Sequence, residues 1–226
     1  MRNYSKLVIF DLDGVLIDSR DLHYHALNAA LMEVHPKYVI SREEHLSTYD
    51  GLPTKVKLKF LTEKKGLPVD KYDQIWKDKQ DATIKLLDRL PRDEKLVDIF
   101  GRLVSLGFRI AVASNSIRNT VKITLMRLGI LEYVDFFQTN EDVKHSKPFP
   151  EMYWNCMMAM HAIPSTTLIV EDSHIGRQGA IDSGAKLLAV EDAGDLTWEK
   201  VEKAIMEMND RTQKKVPWRE IGRAHV

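Results

Sequence analysis

Residues Leu7-Val8-Ile9-Phe10 form a short apolar run with β-branched members, and it breaks off into Asp11-Leu12-Asp13-Gly14. Four apolar residues between a lysine and an acidic glycine turn read as a buried strand. Side chains alternate along a strand, so Asp11 and Asp13 are expected on one face just past its carboxyl end. Open parallel sheets bind their ligands there. Two carboxylates about 4 Å apart repel by roughly 4 kcal/mol at an effective dielectric of 20. A hard cation with oxygen ligands, with Mg2+ the expected one, relieves that repulsion. Taken alone, the same residues also read as an ordinary acidic turn, because Asp and Gly are common in turns.

Downstream, Ser19 is placed to cap a helix from about Arg20 to Val34, with Leu22, Ala26, Ala29, Ala30 and Leu31 on its apolar face. From there to about Leu90 no strand pattern occurs. Ser41-Arg42-Glu43-Glu44 has the capping-box pattern, Asp50-Gly51-Leu52-Pro53-Thr54 reads as a turn opening a helix, and a long helix is expected from about Asp70 to Leu87. This stretch is a bundle of about four helices inserted after the first strand. Strands and helices then alternate: helix 93–106, strand 109–113, helix 118–128, strand 136–139, helix 150–160, strand 167–170, helix 175–183, strand 186–190 and helix 197–208. Such alternation implies an α/β fold with a parallel sheet covered on both faces.

The bulk properties narrow the function classes. Lys+Arg and Asp+Glu each number 33 in 226 residues, so no net charge draws the chain to nucleic acid or to an anionic membrane. No apolar run approaches the ~20 residues that span a bilayer. The single cysteine, Cys156, excludes an intramolecular disulfide, fits a reducing compartment and is expected in the core. With no signal-peptide pattern at the start, a cytoplasmic protein is expected. Its oligomeric state is not legible. Residues 211–226 are expected to be a disordered tail, and Glu220-Ile221-Gly222-Arg223-Ala224-His225-Val226 reads as a translated sequencing adapter.

The later strands also end in chemistry. Strand 109–113 runs into Ser114-Asn115, where a hydroxyl before a helix N-terminus suits a phosphate oxygen. Lys147-Pro148 precedes another helix, and Lys147 could neutralise a phosphate and a carboxylate together. Strand 167–170 runs into Glu171-Asp172, a second acidic pair that would complete a metal site. Each alone is an ordinary cap, loop or turn residue. The ordered set of acid pair, hydroxyl, lysine and acid pair is the specific signal.

That set resembles the haloacid dehalogenase superfamily, in the branch with a helical cap after the first strand, which includes phosphoglycolate phosphatase-like enzymes and β-phosphoglucomutase. The resemblance covers the chain to about Asp210. It implies a Rossmann-like core over residues 1–17 and 89–210 and a helical cap over 18–88. It further implies Asp11 as a nucleophile that forms an aspartyl-phosphate, and Asp13 as the general acid and then base. Mg2+ would bind Asp11, the Asp13 backbone carbonyl and Asp172, with Glu171 in support. Ser114, Asn115 and Lys147 would hold the phosphoryl group. The implied partner is a small phosphorylated metabolite.

Within the branch, an acid at position 13 argues against dehalogenases, which need none there. His23 and Lys79 match a histidine and a lysine in the cap of β-phosphoglucomutase, so both are candidate substrate contacts, as is Gly51 of the cap loop. Against a mutase, Gly51-Leu52-Pro53-Thr54-Lys55 lacks the arginine that follows G-x-S in that enzyme, and lysine does not reproduce an arginine fork. A phosphatase is therefore the preferred expectation and a sugar-phosphate mutase the alternative. A non-catalytic relative that only binds a phosphometabolite is expected to have lost one of these acids, and none is lost.

Overall fold

The computed structural model describes residues 4–49 and 52–213, the side chains of 209–213 excepted. Asp50, Gly51 and the expected tail beyond residue 213 lie outside the described residues. The strands are β1 (Lys6–Phe10), β2 (Phe108–Ala113), β3 (Phe136–Gln138), β4 (Thr167–Glu171) and β5 (Lys186–Ala189). All pairings are parallel, in the order β3-β2-β1-β4-β5. The helices are α1 (Arg20–Val34), α2 (Arg42–Glu44), α3 (Thr54–Lys65), α4 (Tyr72–Leu87), α5 (Glu94–Ser105), α6 (Arg118–Leu128), α7 (Glu151–Ala159), α8 (His174–Asp182) and α9 (Trp198–Gln213). This is the α/β architecture expected from the alternation of elements.

β1 is the central strand, which explains why its sequence is uniformly apolar: both of its faces are covered. The period of two divides it. Val8 and Phe10 enter one cluster with Ile110, Val112, Leu168 and Val170, where α5, α6 and α9 pack. Leu7 and Ile9 enter the opposite cluster with Ala111, Ala113 and Ile169, beneath Met152, Tyr153, Cys156 and Met157 of α7 and Ala180 of α8. Cys156 is fully buried, as expected. Phe10 stands opposite Val112 on β2 and Val170 on β4. Asp11 and Glu171 are therefore level at the carboxyl edge of the sheet, with Ser114 one residue further along.

The insert between β1 and β2 contains no strand among the described residues. It has three full helices, α1, α3 and α4, with α2 reduced to a single turn that runs into a five-residue π segment (His45–Tyr49), so it is leaner than the expected bundle of four. The Ser41–Glu44 capping box is present, with both reciprocal hydrogen bonds. Leu27, Leu31, Leu58, Leu61 and Ile75 form a separate core within the insert. Two other expectations need adjustment. Glu171 is the last residue of β4 rather than a loop residue, and α9 continues past Met208 to Gln213. Among the described residues, no helix is long and apolar enough to cross a membrane.

Candidate active site

The site lies at the carboxyl edge of β1, β2 and β4, and its centre is a buried lysine. Lys147 Nζ donates to Asp11 Oδ1 and to Glu171 Oε1, each at 2.6 Å. Its side chain is 3 % exposed and that of Glu171 is wholly enclosed, so these are charge-assisted bonds away from water. Asn115 positions the lysine's loop by accepting a hydrogen bond from the Lys147 backbone N–H at 3.2 Å. The Ser114 hydroxyl is fully buried and accepts from the Ser116 N–H at 3.0 Å, which leaves its own proton to give.

Asp11, Glu171 and Asp172 form an acidic cluster whose ligand atoms all lie within 4.8 Å of one another. One ammonium faces three carboxyls, so the cluster is short of positive charge. Burial, then the charge of Glu171, push the Asp11 carboxyl well above its ordinary range, and Lys147 only partly offsets them. The same two causes raise Asp172 to about 6. Burial would strip the proton from Lys147, but Asp11 and Glu171 outweigh it and hold the ammonium charged. Asp172 Oδ1 is buried without a hydrogen-bond partner. An orphaned carboxylate oxygen in a cluster lacking positive charge fits a hard divalent cation with oxygen ligands.

Two glycines make the cluster possible. Gly14 has φ +83°, and a Cβ there would lie 2.0 Å from Asp172 Oδ2. A Cβ on Gly176 would lie 2.0 Å from Glu171 Oε1. Any side chain at either position would displace a carboxylate.

The Asp13 carboxylate is not part of that cluster. It lies past the end of β1 at Phe10, where Gly14 N–H bonds the Ile17 carbonyl at 2.7 Å, and its charge still reaches Asp11. Asp13 Oδ2 instead accepts from the Ser116 hydroxyl at 2.7 Å, and Oδ1 lies 3.2 Å from His23 Nε2. Burial would raise this carboxyl, but His23, by charge and hydrogen bond, with the Ser19 and Ser116 hydroxyls, holds it below the usual carboxylate range. Ser19 is thus the N-cap of α1 by position only; its side chain makes no capping bond.

His23 therefore reaches the site from the insert. Lys79 on α4 is also buried, and burial pulls its ammonium below the ordinary value while the Asp13 charge partly offsets this. Gly51, the third residue expected from the insert, lies outside the described residues. Ser116, Tyr153 and Ser173 all touch the site, yet none was legible as a site residue. Ser116 follows the Ser-Asn pair directly, and Ser173 the Glu-Asp pair, which are the local hints.

The raised carboxyls imply a stability gradient. A carboxyl whose pKa is higher folded than unfolded stabilises the fold at low pH and loses that contribution as pH rises through its folded value. For Asp172 that loss runs from the ordinary 3.8 up to about 6. Metal-free protein should therefore melt lower at about pH 7 than at about pH 5, and Mg2+ should remove or reverse the gradient by binding the ionised form. Scanning fluorimetry in chelator and in Mg2+ checks this. A metal-free midpoint that rises between those two pH values contradicts it.

Comparison with known proteins places the chain in a family. A family model described as haloacid dehalogenase-like hydrolase matches residues 8–190. A protein of Anoxybacillus flavithermus named pyrophosphatase PpaX is 27% identical over 184 residues, covering 81% of this chain and 82% of that protein. The crystal structure of a β-phosphoglucomutase from Clostridium difficile superposes with a TM-score of 0.74 at 20% identity, covering 92% of this chain and all of the other. A predicted phosphoglycolate phosphatase from Haemophilus somnus gives a TM-score of 0.74 at 18% identity, covering 86% and 88%.

Proposed function

From membership of the haloacid dehalogenase-like hydrolases, to which this chain belongs, we propose that it is a Mg2+-dependent phosphatase that acts on a small phosphorylated metabolite through an aspartyl-phosphate on Asp11. The single observation that carries this reading is Lys147 bridging Asp11 and Glu171 beside the orphaned oxygen of Asp172. Asp11, Asp172 and the Asp13 backbone carbonyl would hold the cation, with Glu171 close by. When bound, Mg2+ supplies positive charge that lets Asp11 ionise and lowers the repulsion between a carboxylate and a phosphate dianion.

The chain's own groups do the rest. Lys147, the Ser114 hydroxyl and backbone N–H groups bind the phosphoryl oxygens and accept the charge that develops on them. Asp11 attacks phosphorus, and the leaving oxygen takes a proton from Asp13. Water then attacks the phosphoryl group on Asp11, with the Asp13 carboxylate taking its proton. The low setting of Asp13, held by His23 and Ser116, keeps it in the ionised form from which the second step starts. In the first step Asp13 must carry a proton, so the arriving substrate has to favour its neutral form.

Residues 18–88 act in this reading as a cap that shuts water out. The cap reaches the core through His23 to Asp13, and at its far end through Arg127 Nη2 on α6 to Asp88 Oδ1 at 2.7 Å. Hinges are placed at residues 17–18 and 87–91, on either side of the insert.

The same cap contacts favour a second reading. His23 and Lys79 bring two groups toward Asp13, as a sugar-phosphate mutase requires for a second phosphorylated position. Against it, Leu52-Pro53-Thr54-Lys55 offers no arginine. The test is phosphate release from a panel of phosphomonoesters, with pyrophosphate added because of the relatives' name, in Mg2+ and in chelator. Mg2+-dependent release from one or a few compounds supports the phosphatase. No release, together with conversion of β-glucose 1-phosphate in the presence of a bisphosphate primer, establishes the mutase instead.

A further inference from the structure

Glu171 is the most enclosed acid of the site, and its hydrogen bonding is complete without a metal. Oε1 accepts from Lys147 Nζ at 2.6 Å and from the Tyr153 hydroxyl at 2.7 Å. Oε2 accepts from the Ser173 hydroxyl at 3.2 Å and from the Ser173 N–H at 3.3 Å. A carboxylate offers about four lone-pair positions, and all four face protein donors. Asp172 is the opposite case, because its Oδ1 is buried with no hydrogen-bond partner.

Tyr153 is built into this arrangement. It is fully buried on α7, and its ring face lies 5.3 Å from Lys147 Nζ, so one side chain meets both ends of the Lys147–Glu171 pair. α8 carries glycine at the two positions that would obstruct it. A Cβ on Gly176 would strike Glu171, and one on Gly179 would lie 3.2 Å from Tyr153 Cε2. The packing needs only an aromatic ring at position 153, since a phenylalanine would fill the same space. The hydroxyl is the part that serves the carboxylate.

We propose that Tyr153 is a positioning residue for Lys147. Its hydroxyl, with Ser173, fills the lone pairs of Glu171 that Lys147 leaves, so that Glu171 anchors the lysine and stands outside the direct ligands of the cation. The metal would then be held by Asp11, Asp172 and the Asp13 backbone carbonyl. This rests on the phosphatase reading, in which Lys147 binds the phosphoryl group, and it refines the part played by Glu171 in that reading.

The test is Tyr153→Phe beside the wild type, with three measurements: Mg2+ affinity by calorimetry without phosphate, affinity for inorganic phosphate with Mg2+ saturating, and kcat against KM. Loss of a hydrogen bond to a charged group should weaken phosphate binding and lower kcat by about tenfold, while Mg2+ affinity stays within about twofold. A purely structural tyrosine would move the melting point and leave those ratios alone. Unchanged phosphate affinity and kcat overturn the proposal. A fall in Mg2+ affinity as large as the fall in phosphate affinity also overturns it, because Glu171 would then be a ligand that Tyr153 orients. If Tyr153→Phe does not fold, Ser173→Ala removes the hydroxyl donor from the other oxygen and is read by the same measurements. An unchanged variant beside an active wild type removes only the role of Tyr153. A wild type that neither binds nor releases phosphate ends the phosphatase reading and this inference with it.

Discussion

Asp11→Asn should leave a well-folded protein with no measurable turnover. An amide has almost the shape of the carboxylate but no charge with which to attack phosphorus, and phosphomonoester hydrolysis is among the slowest uncatalysed reactions. A loss of at least about 10⁴-fold is expected, the scale on which removal of a covalent catalyst acts. Stability should move the other way. Asp11 sits in a cluster with Glu171 and Asp172 where burial and Glu171 already disfavour its charge. Removing that charge should raise the melting midpoint in chelator and shrink the further rise on adding Mg2+. Residual activity within about tenfold of wild type would contradict the role given to Asp11, since an unreplaced nucleophile leaves far less than that.

Lys147→Ala should damage both fold and function. The lysine is the one cation bonded to Asp11 and Glu171 among the described residues, and all three side chains are nearly or wholly enclosed. Breaking a buried ion pair by removing one partner costs about 3–5 kcal/mol. In a chain of this size that lowers the melting midpoint by about 10 °C. Mg2+ should recover part of the loss, because it would supply charge to the same carboxylates. Turnover should fall by about 10²–10³-fold or more even when the variant is folded, because a preorganised positive charge at the phosphoryl oxygens has gone. Thermal melts with and without Mg2+, beside phosphate release, check both parts. A variant as stable as wild type in chelator would mean the cluster is not held by this lysine.

The sequence made legible those features that depend on local pattern. β1 is an apolar run because it is covered on both faces, and its acidic end marks the site. α1 and α6 begin and end where apolar spacing and the glycine after Leu128 placed them, and the Ser41–Glu44 box closes as its spacing requires. Asp11, Lys147, Glu171 and Asp172 converge because each follows its own strand or loop at one edge of one sheet. Contacts that depend on tertiary approach left at most a neighbouring motif as a local trace. Ser116 meets Asp13 across more than a hundred residues, and Tyr153 occupies what the pattern reads as an ordinary core position of α7. Asp13 lies just past β1, as expected, and its charge reaches Asp11, but its hydrogen bonds run to Ser116 and His23, which local pattern did not show. Ser19 was assigned to a cap by position, while its hydroxyl serves Asp13.

Trapping the enzyme in mid-reaction tests the central claim most directly. Protein mixed with a turned-over ester and Mg2+, quenched within the first turnovers and digested, should contain a peptide spanning residues 6–16 heavier by one phosphoryl group. The modification should map to Asp11, vanish once substrate is exhausted, and be missing from Asp11→Asn. Steady phosphate release with no phosphorylated peptide, or with the phosphoryl group on another residue, would contradict the account.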